Sequence, residues 1–193
     1  MENLAKTVDE FLTEEECSKI VNLVSNIEEW EREPNNSFWD NRGLEDKNIY
    51  KNYDAEIGKL LYSIRQRVQA KIKELYSLDE VYPDHMAVSR WFNGMSQPPH
   101  ADDMTNAEGP GHEWFAHRDF GAIIYLNNNY SGGHTFYPEH NFEIIPKVGT
   151  LAIHPGDPNH LHGVTMVQGN TRYTISSFWT RDKAFFDDWN PGQ

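Results

Sequence analysis

The chain has 193 residues, 38% of them hydrophobic, with 30 acidic against 17 basic residues and a formal net charge of -13. That length sustains one domain with a real core and is short for two, and the acidity argues against binding nucleic acid or an anionic membrane, which need basic patches. The single cysteine, Cys17, excludes an internal disulfide framework. With neither a charged-then-apolar leader nor an apolar run near the ~20 residues of a membrane span, the chain reads as a soluble cytoplasmic protein.

Thr13 followed by Glu16 fits a capping box, and Cys17, Ile20, Val21, Val24 and Ile27 recur at helical spacing, predicting an amphipathic helix to about Glu29. From Trp30 to Tyr53 the periodicity fails and Pro34, Asn35, Asn36 and Gly43 mark an irregular stretch. Its aromatics, Trp30, Phe38, Trp39, Tyr50 and Tyr53, are either anchors of a loop or the lining of a substrate groove. Asp54 opens the longest helix, whose apolar stripe of Ile57, Leu60, Leu61, Ile64, Val68, Ile72 and Leu75 runs to about Leu78 and should pack against a sheet.

Beyond Pro83 the period becomes strand-like. Met86 to Phe92 ends at the turn signal Asn93-Gly94, and further strands are expected at Gly121–Leu126, Gly133–Tyr137, Phe142–Ile145, Thr150–His154, His162–Val167 and Tyr173–Trp179. Helices first and many short strands after predict an α+β fold. Its core should be a jelly roll, a double-stranded β-helix, with the N-terminal helices packed on one sheet. We read residues 1–193 as a single domain, with a helical buttress over about 13–78 and a jelly-roll core over about 84–180.

The residues that carry chemistry lie between Pro98 and Trp179. A His-x-Asp pair, His100 and Asp102, is answered by His162, with Arg172 ten residues further on. Two histidines and a carboxylate can hold one transition metal and leave coordination positions open. Side chains two apart on an extended chain point the same way, which would turn both members of the pair inward. A His-x-Asp is common by chance and a second, His117 and Asp119, is present as a rival; His160 rivals His162. His85, His112, His140 and His154 read as ordinary polar or packing residues. The Gly/Pro-rich run from Asp103 to Trp114 is a candidate lid.

Around these residues stand Arg90-Trp91-Phe92-Asn93-Gly94, Tyr125-Leu126-Asn127, Gly132-Gly133, Ile145-Pro146-Lys147-Val148-Gly149 and His162-Gly163-Val164 with Gly169, Arg172 and Tyr173. In this order and spacing the set resembles the iron(II)/2-oxoglutarate dioxygenases of the prolyl 4-hydroxylase type, over roughly Thr13 to Trp179. The resemblance implies His100, Asp102 and His162 as ligands of Fe(II) and 2-oxoglutarate as co-substrate. It further implies Arg172 as the cation for the far carboxylate of 2-oxoglutarate, Tyr125 as a second donor to it, and ascorbate as a candidate reductant. Two positions depart from the family: Trp91 stands where a Tyr is usual, and His134 follows the glycine pair where an acid is common. The activity implied is hydroxylation of a C–H bond by dioxygen, with a prolyl residue in a peptide or protein as substrate. The alternatives are a small-molecule substrate, a cupin-like metal-binding jelly roll without oxygenase activity, and a recognition module. Arg172 discriminates, because a plain cupin has no need of a buried cation there.

Overall fold

The computed structural model describes residues 5–33, 38–104 and 112–192, with backbone alone at 112 and 113. Three helices, α1 (Glu14–Val24), α2 (Asp46–Asn52) and α3 (Ala55–Tyr76), accompany twelve strands. These are β1 (Lys6–Val8), β2 (Gly43–Glu45), β3 (Tyr82–Trp91), β4 (Gln97–His100), β5 (Phe120–Tyr125), β6 (Tyr130–Ser131), β7 (Thr135–Tyr137), β8 (Phe142–Ile144), β9 (Leu151–Pro155), β10 (His162–Val164), β11 (Gln168–Gly169) and β12 (Arg172–Thr180). A six-stranded sheet in the order β1-β9-β5-β12-β3-β2 and a four-stranded sheet in the order β4-β10-β7-β8 form the jelly roll, and β6 and β11 pair apart.

The large sheet is sided, and its period of two explains why. Met86 and Val88 of β3, Phe120, Ala122 and Ile124 of β5, Leu151 and Ile153 of β9 and Ile175 of β12 share one core with Cys17, Ile20 and Val24 of α1 and Leu61, Ile64, Val68 and Ile72 of α3. The α+β plan with helices buttressing one sheet is therefore the observed one. Between these residues lie Ser89, Trp91, Ile123, His154, Arg172, Thr174 and Ser176, which point the other way into a cavity facing the small sheet. One face of each strand holds the helices, and the other builds the site.

Local signals set the helix starts. Thr13 caps α1 in a reciprocal box with Glu16, and Asp54 accepts from the amides of Glu56 and Ile57 to cap α3. Helix α1 ends at Val24, short of the expected Glu29, because the Asn26 side chain donates to the carbonyl of Asn22 and the amide of Ile27 turns back to Val24. Short polar side chains of this kind compete for the helix backbone. The stretch from Trp30 to Tyr53, expected to be irregular, contains β2 and α2. Among the described residues no helix is long and apolar enough to cross a membrane.

Candidate metal centre

His100 is the last residue of β4 and His162 the first of β10, and the two are register partners across that antiparallel pair. Asp102 lies in the turn beyond β4, so strand alternation is not what turns it inward. Its turn is tied down by the Asp103 amide donating to the carbonyl of Gly156 and the Met104 amide donating to Ala101. One ligand atom from each of His100, Asp102 and His162 lies within 4.8 Å of the other two, and this is the one set of three or more such residues among the described residues.

Each histidine is oriented from behind. His100 Nδ1 lies 3.1 Å from the carbonyl oxygen of Pro98, and His162 Nδ1 lies 3.2 Å from that of His160. A carbonyl only accepts, so both rings donate through Nδ1–H and turn an unprotonated Nε2 to the site, the arrangement a metal-binding imidazole needs; at His100 the Gln97 side-chain amide, 3.3 Å away, donates to that Nε2. Both Nε2 atoms face Asp102 Oδ1, at 3.8 Å from His100 and 3.5 Å from His162. Burial pushes the His162 pKa down to about 3, and the neighbouring His154 acts in the same direction. His162 is therefore a neutral ligand at physiological pH. Burial opposes ionisation of Asp102, but the surrounding imidazoles, His162 first, and the hydrogen bond from His154 outweigh it and hold the carboxyl well below its usual range.

Arg172 opens β12 opposite Trp91 of β3, is 1% exposed, and lines the same cavity as the three ligand candidates. Its Nε and Nη2 have no well-formed hydrogen-bond partner among the described residues, nor do the Tyr130 hydroxyl and the Trp91 Nε1. All of these can donate, and buried donors without acceptors are costly unless a ligand supplies them. Gly133, at φ +65°, makes room for this guanidinium, since a Cβ there would sit 2.8 Å from Arg172 Cδ. The Trp91 ring is contacted by two guanidiniums, Arg42 at 4.1 Å and Arg172 at 5.1 Å. An indole face accommodates such cations well. Tyr125 is fully buried beside Arg172, with its hydroxyl 2.8 Å from that of Thr135.

The other sequence candidates are placed elsewhere. His117 stacks on Phe185 at 3.8 Å with its Nε2 3.2 Å from Asp84, while Asp119 pairs with Arg181, so the rival dyad is engaged in packing. His160 lies against Asp157, and His134 lies 3.3 Å from Glu143 on the surface. Of the loop aromatics, Trp39 reaches the cavity and Phe38 packs edge-on against Trp39 and Trp91. Trp30 is buried under Arg90, and Tyr50 packs on Trp189. Most of the candidate lid falls outside the described residues. His154 is no ordinary packing residue: its Nε2 is 2.9 Å from Asp102 Oδ2 and its Nδ1 2.9 Å from the Tyr137 hydroxyl. The sequence reading also passed over Arg42, Tyr130, Tyr137 and Gly121. Of these positions, His154 alone had a sequence signal, since it shares the strand parity of Ala152 and not that of the apolar Leu151 and Ile153.

A jelly roll with two histidines and a carboxylate at one mouth defines the class, a mononuclear metal site with open positions. The chain belongs to the 2OG-Fe(II) oxygenase superfamily, which it matches over residues 86–181. Two histidines and a carboxylate suit iron, and the superfamily is named for Fe(II) and 2-oxoglutarate. It is 21% identical over 211 residues to human prolyl 3-hydroxylase 2, an alignment covering 92% of this chain and 30% of that protein. The chain thus spans under a third of the length of the curated relatives it matches. Among solved structures, the fold resembles a viral collagen prolyl hydroxylase from Paramecium Bursaria Chlorella virus-1, with TM-score 0.64 and 17% identity, covering 94% of this chain and 97% of that one. It likewise resembles a Trichoplax adhaerens prolyl hydroxylase in complex with a hypoxia inducible factor oxygen degradation domain peptide fragment, with TM-score 0.65 and 16% identity, covering 92% and 84%.

Proposed function

We propose that the protein hydroxylates a prolyl residue within a peptide or exposed protein segment, using Fe(II), 2-oxoglutarate and dioxygen. The observation that carries the reaction class is the buried guanidinium of Arg172, with no acidic partner among the described ion pairs, in one cavity with the three converging ligand atoms. A metal-binding jelly roll that only stored or sensed an ion would leave that cation without a purpose.

His100, Asp102 and His162 hold the iron in this reading, the histidines through the Nε2 atoms that their carbonyl contacts leave unprotonated, with the metal taking the place of the Gln97 amide at His100. The bound iron, with 2-oxoglutarate and dioxygen, supplies the oxidising chemistry; the chain supplies binding, orientation and exclusion of water. Arg172 takes the far carboxylate of 2-oxoglutarate, since a guanidinium fits a carboxylate with two parallel hydrogen bonds. Tyr130, whose hydroxyl lies beside Arg172, and Trp91, whose indole N–H has no partner among the described residues, are further donors for the same ligand. Tyr125 stands alongside as a further donor, its hydroxyl shared with Thr135.

The prolyl substrate is supported by the names of the relatives and by the aromatic wall of Phe38, Trp39 and Trp91. Proline-containing segments are extended, lose little entropy on binding and pack well on aromatic surfaces. The test is incubation with Fe(II), ascorbate, 2-oxoglutarate and a panel of proline-containing peptides, following succinate release and the mass gain of one oxygen. Hydroxylated peptide with stoichiometric succinate is expected. Turnover of free amino acids or metabolites with no peptide product would overturn the substrate class, and no succinate with any substrate would overturn the reaction.

A further inference from the structure

We infer that His154 is a positioning residue for the metal-binding carboxylate: it clamps Asp102 through the oxygen that does not face the histidine ligands, and is itself held by Tyr137. The inference rests on the reading of His100, Asp102 and His162 as metal ligands.

The two oxygens of Asp102 have different surroundings. Oδ1 faces His100 Nε2 at 3.8 Å and His162 Nε2 at 3.5 Å, whereas Oδ2 meets His154 Nε2 at 2.9 Å. A carboxylate accepts and cannot donate, so His154 donates through Nε2–H, and in the neutral ring its Nδ1 is then an acceptor. Among the described residues Nδ1 meets the Tyr137 hydroxyl, which can donate, and one neutral tautomer therefore satisfies the whole chain Tyr137 to His154 to Asp102. His154 is 1% exposed and Tyr137 is fully buried. Both side chains are withdrawn from bulk solvent, and low local dielectric strengthens their hydrogen bonds.

The clamp answers a mechanical need. His100 and His162 are fixed by being paired across β4 and β10, but Asp102 sits in a turn outside any strand. A lone carboxylate on a turn can rotate and can offer a metal either one oxygen or both. His154 comes from β9 in the large sheet and Tyr137 from β7 in the small one, so the carboxylate is referenced to both sheets. The third wall is β5, where Gly121 leaves the space. A Cβ on Gly121 would lie 2.0 Å from Asp102 Oδ2 and 2.6 Å from His154 Nε2, so the strand is cut away where the hydrogen bond passes. With Oδ2 engaged, Asp102 offers the metal Oδ1 alone.

Metal-binding measurements test this without any need for turnover. Titration of the full chain with Co(II) alone should show His154→Phe binding about 10–100-fold more weakly than the parent, the usual cost of losing an outer partner of a metal ligand. His154→Gln keeps an N–H donor at a similar reach and should recover affinity to within about threefold. The visible Co(II) spectrum should change in the Phe variant, where Asp102 is free to bind through both oxygens, and stay near the parent in the Gln variant. Equal affinity and spectrum in parent and His154→Phe overturn the inference, and so does equal loss in the Phe and Gln variants, which would make packing the cause. If His154→Phe does not fold, Tyr137→Phe tests the same clamp by untying Nδ1: weaker Co(II) binding supports it and unchanged binding overturns it. Failure of the parent chain to bind Co(II) would remove the metal centre itself, and the clamp with it.

Discussion

Arg172 is the residue on which the oxygenase chemistry turns. It is a cation at 1% exposure with no acidic partner among the described ion pairs, and two of its nitrogens have no well-formed hydrogen bond among the described residues. Leaving a buried charge uncompensated costs several kcal/mol, so the anion it binds gains that much by arriving. Arg172→Ala should therefore weaken 2-oxoglutarate binding on the order of 10²–10⁴-fold, corresponding to about 3–5 kcal/mol for a broken buried pair. Because Arg172 is outside the triad, Co(II) affinity should be unaffected. Arg172→Lys should recover only part of the loss, since an ammonium cannot reproduce the paired hydrogen bonds. Titration calorimetry with 2-oxoglutarate on the Co(II)-loaded protein reads both effects. Unchanged co-substrate affinity in Arg172→Ala would return the site to a plain metal-binding jelly roll. Trp91 belongs in the same picture. With guanidiniums at 4.1 and 5.1 Å from its ring, the indole shelters two cations that a smaller phenol would cover less well.

Among the elements, α3 is the one whose sequence most directly dictates its structure. Its stripe of Leu61, Ile64, Val68 and Ile72 is fully buried, and its start is fixed by Asp54 accepting from two backbone amides at 2.9 and 3.0 Å. Asp54→Ala should lower unfolding free energy by about 1 kcal/mol in urea titration, with Asp54→Ser near the parent; equal stability of the alanine variant would show that packing alone sets the helix start. Strong period and a cap made α1 and α3 legible, and period-two alternation did the same for β3, β5, β9 and β12. Helix α2 was hidden because its seven residues bury just Asp46 and Ile49, too short a run to establish a period. Strand β4 was hidden by Pro98 and Pro99, which argue against a strand; it survives because it is the edge of the small sheet, where missing N–H donors are tolerated. The pair His100 and His162 could be read from spacing and surrounding motifs, but the support of Asp102 could not. Tyr137, His154 and Gly121 meet through three strands far apart in sequence, and nothing local in the chain announces a contact of that kind.

Across the whole molecule, a buried ion cluster fastens the C-terminal tail to the helical layer. Arg65 of α3 lies 2.9 Å from Asp46 of α2 and 3.2 Å from Asp187, with Arg65 and Asp46 both nearly inaccessible. Trp189 packs on Tyr50 and Tyr62 just beyond. Burial raises the Asp46 pKa from 3.8 to about 6, against the pull of Arg65. Between these values the folded chain holds a proton on Asp46 that the unfolded chain has released, so folding takes up a proton and this group's contribution to stability is fully present below pH 4. That contribution falls as pH rises through 6. Asp46→Asn cannot titrate, keeps the shape, and retains a hydrogen-bonding group toward Arg65. The stability of the parent relative to Asp46→Asn should therefore fall by an amount of order 1–3 kcal/mol between about pH 4 and pH 7 and be flat above it. At pH 7 the neutral side chain should come close to the parent or exceed it, as replacements of buried ion pairs often do. Asp46→Ala is a different experiment, because it leaves Arg65 facing a gap; it should lose about 3–5 kcal/mol and shift the Trp189 fluorescence as the tail loosens. Urea titrations of the three proteins at several pH values separate these cases. A parent-minus-Asn difference that stays level or grows with pH would show that attraction to Arg65 outweighs the cost of burying the carboxylate.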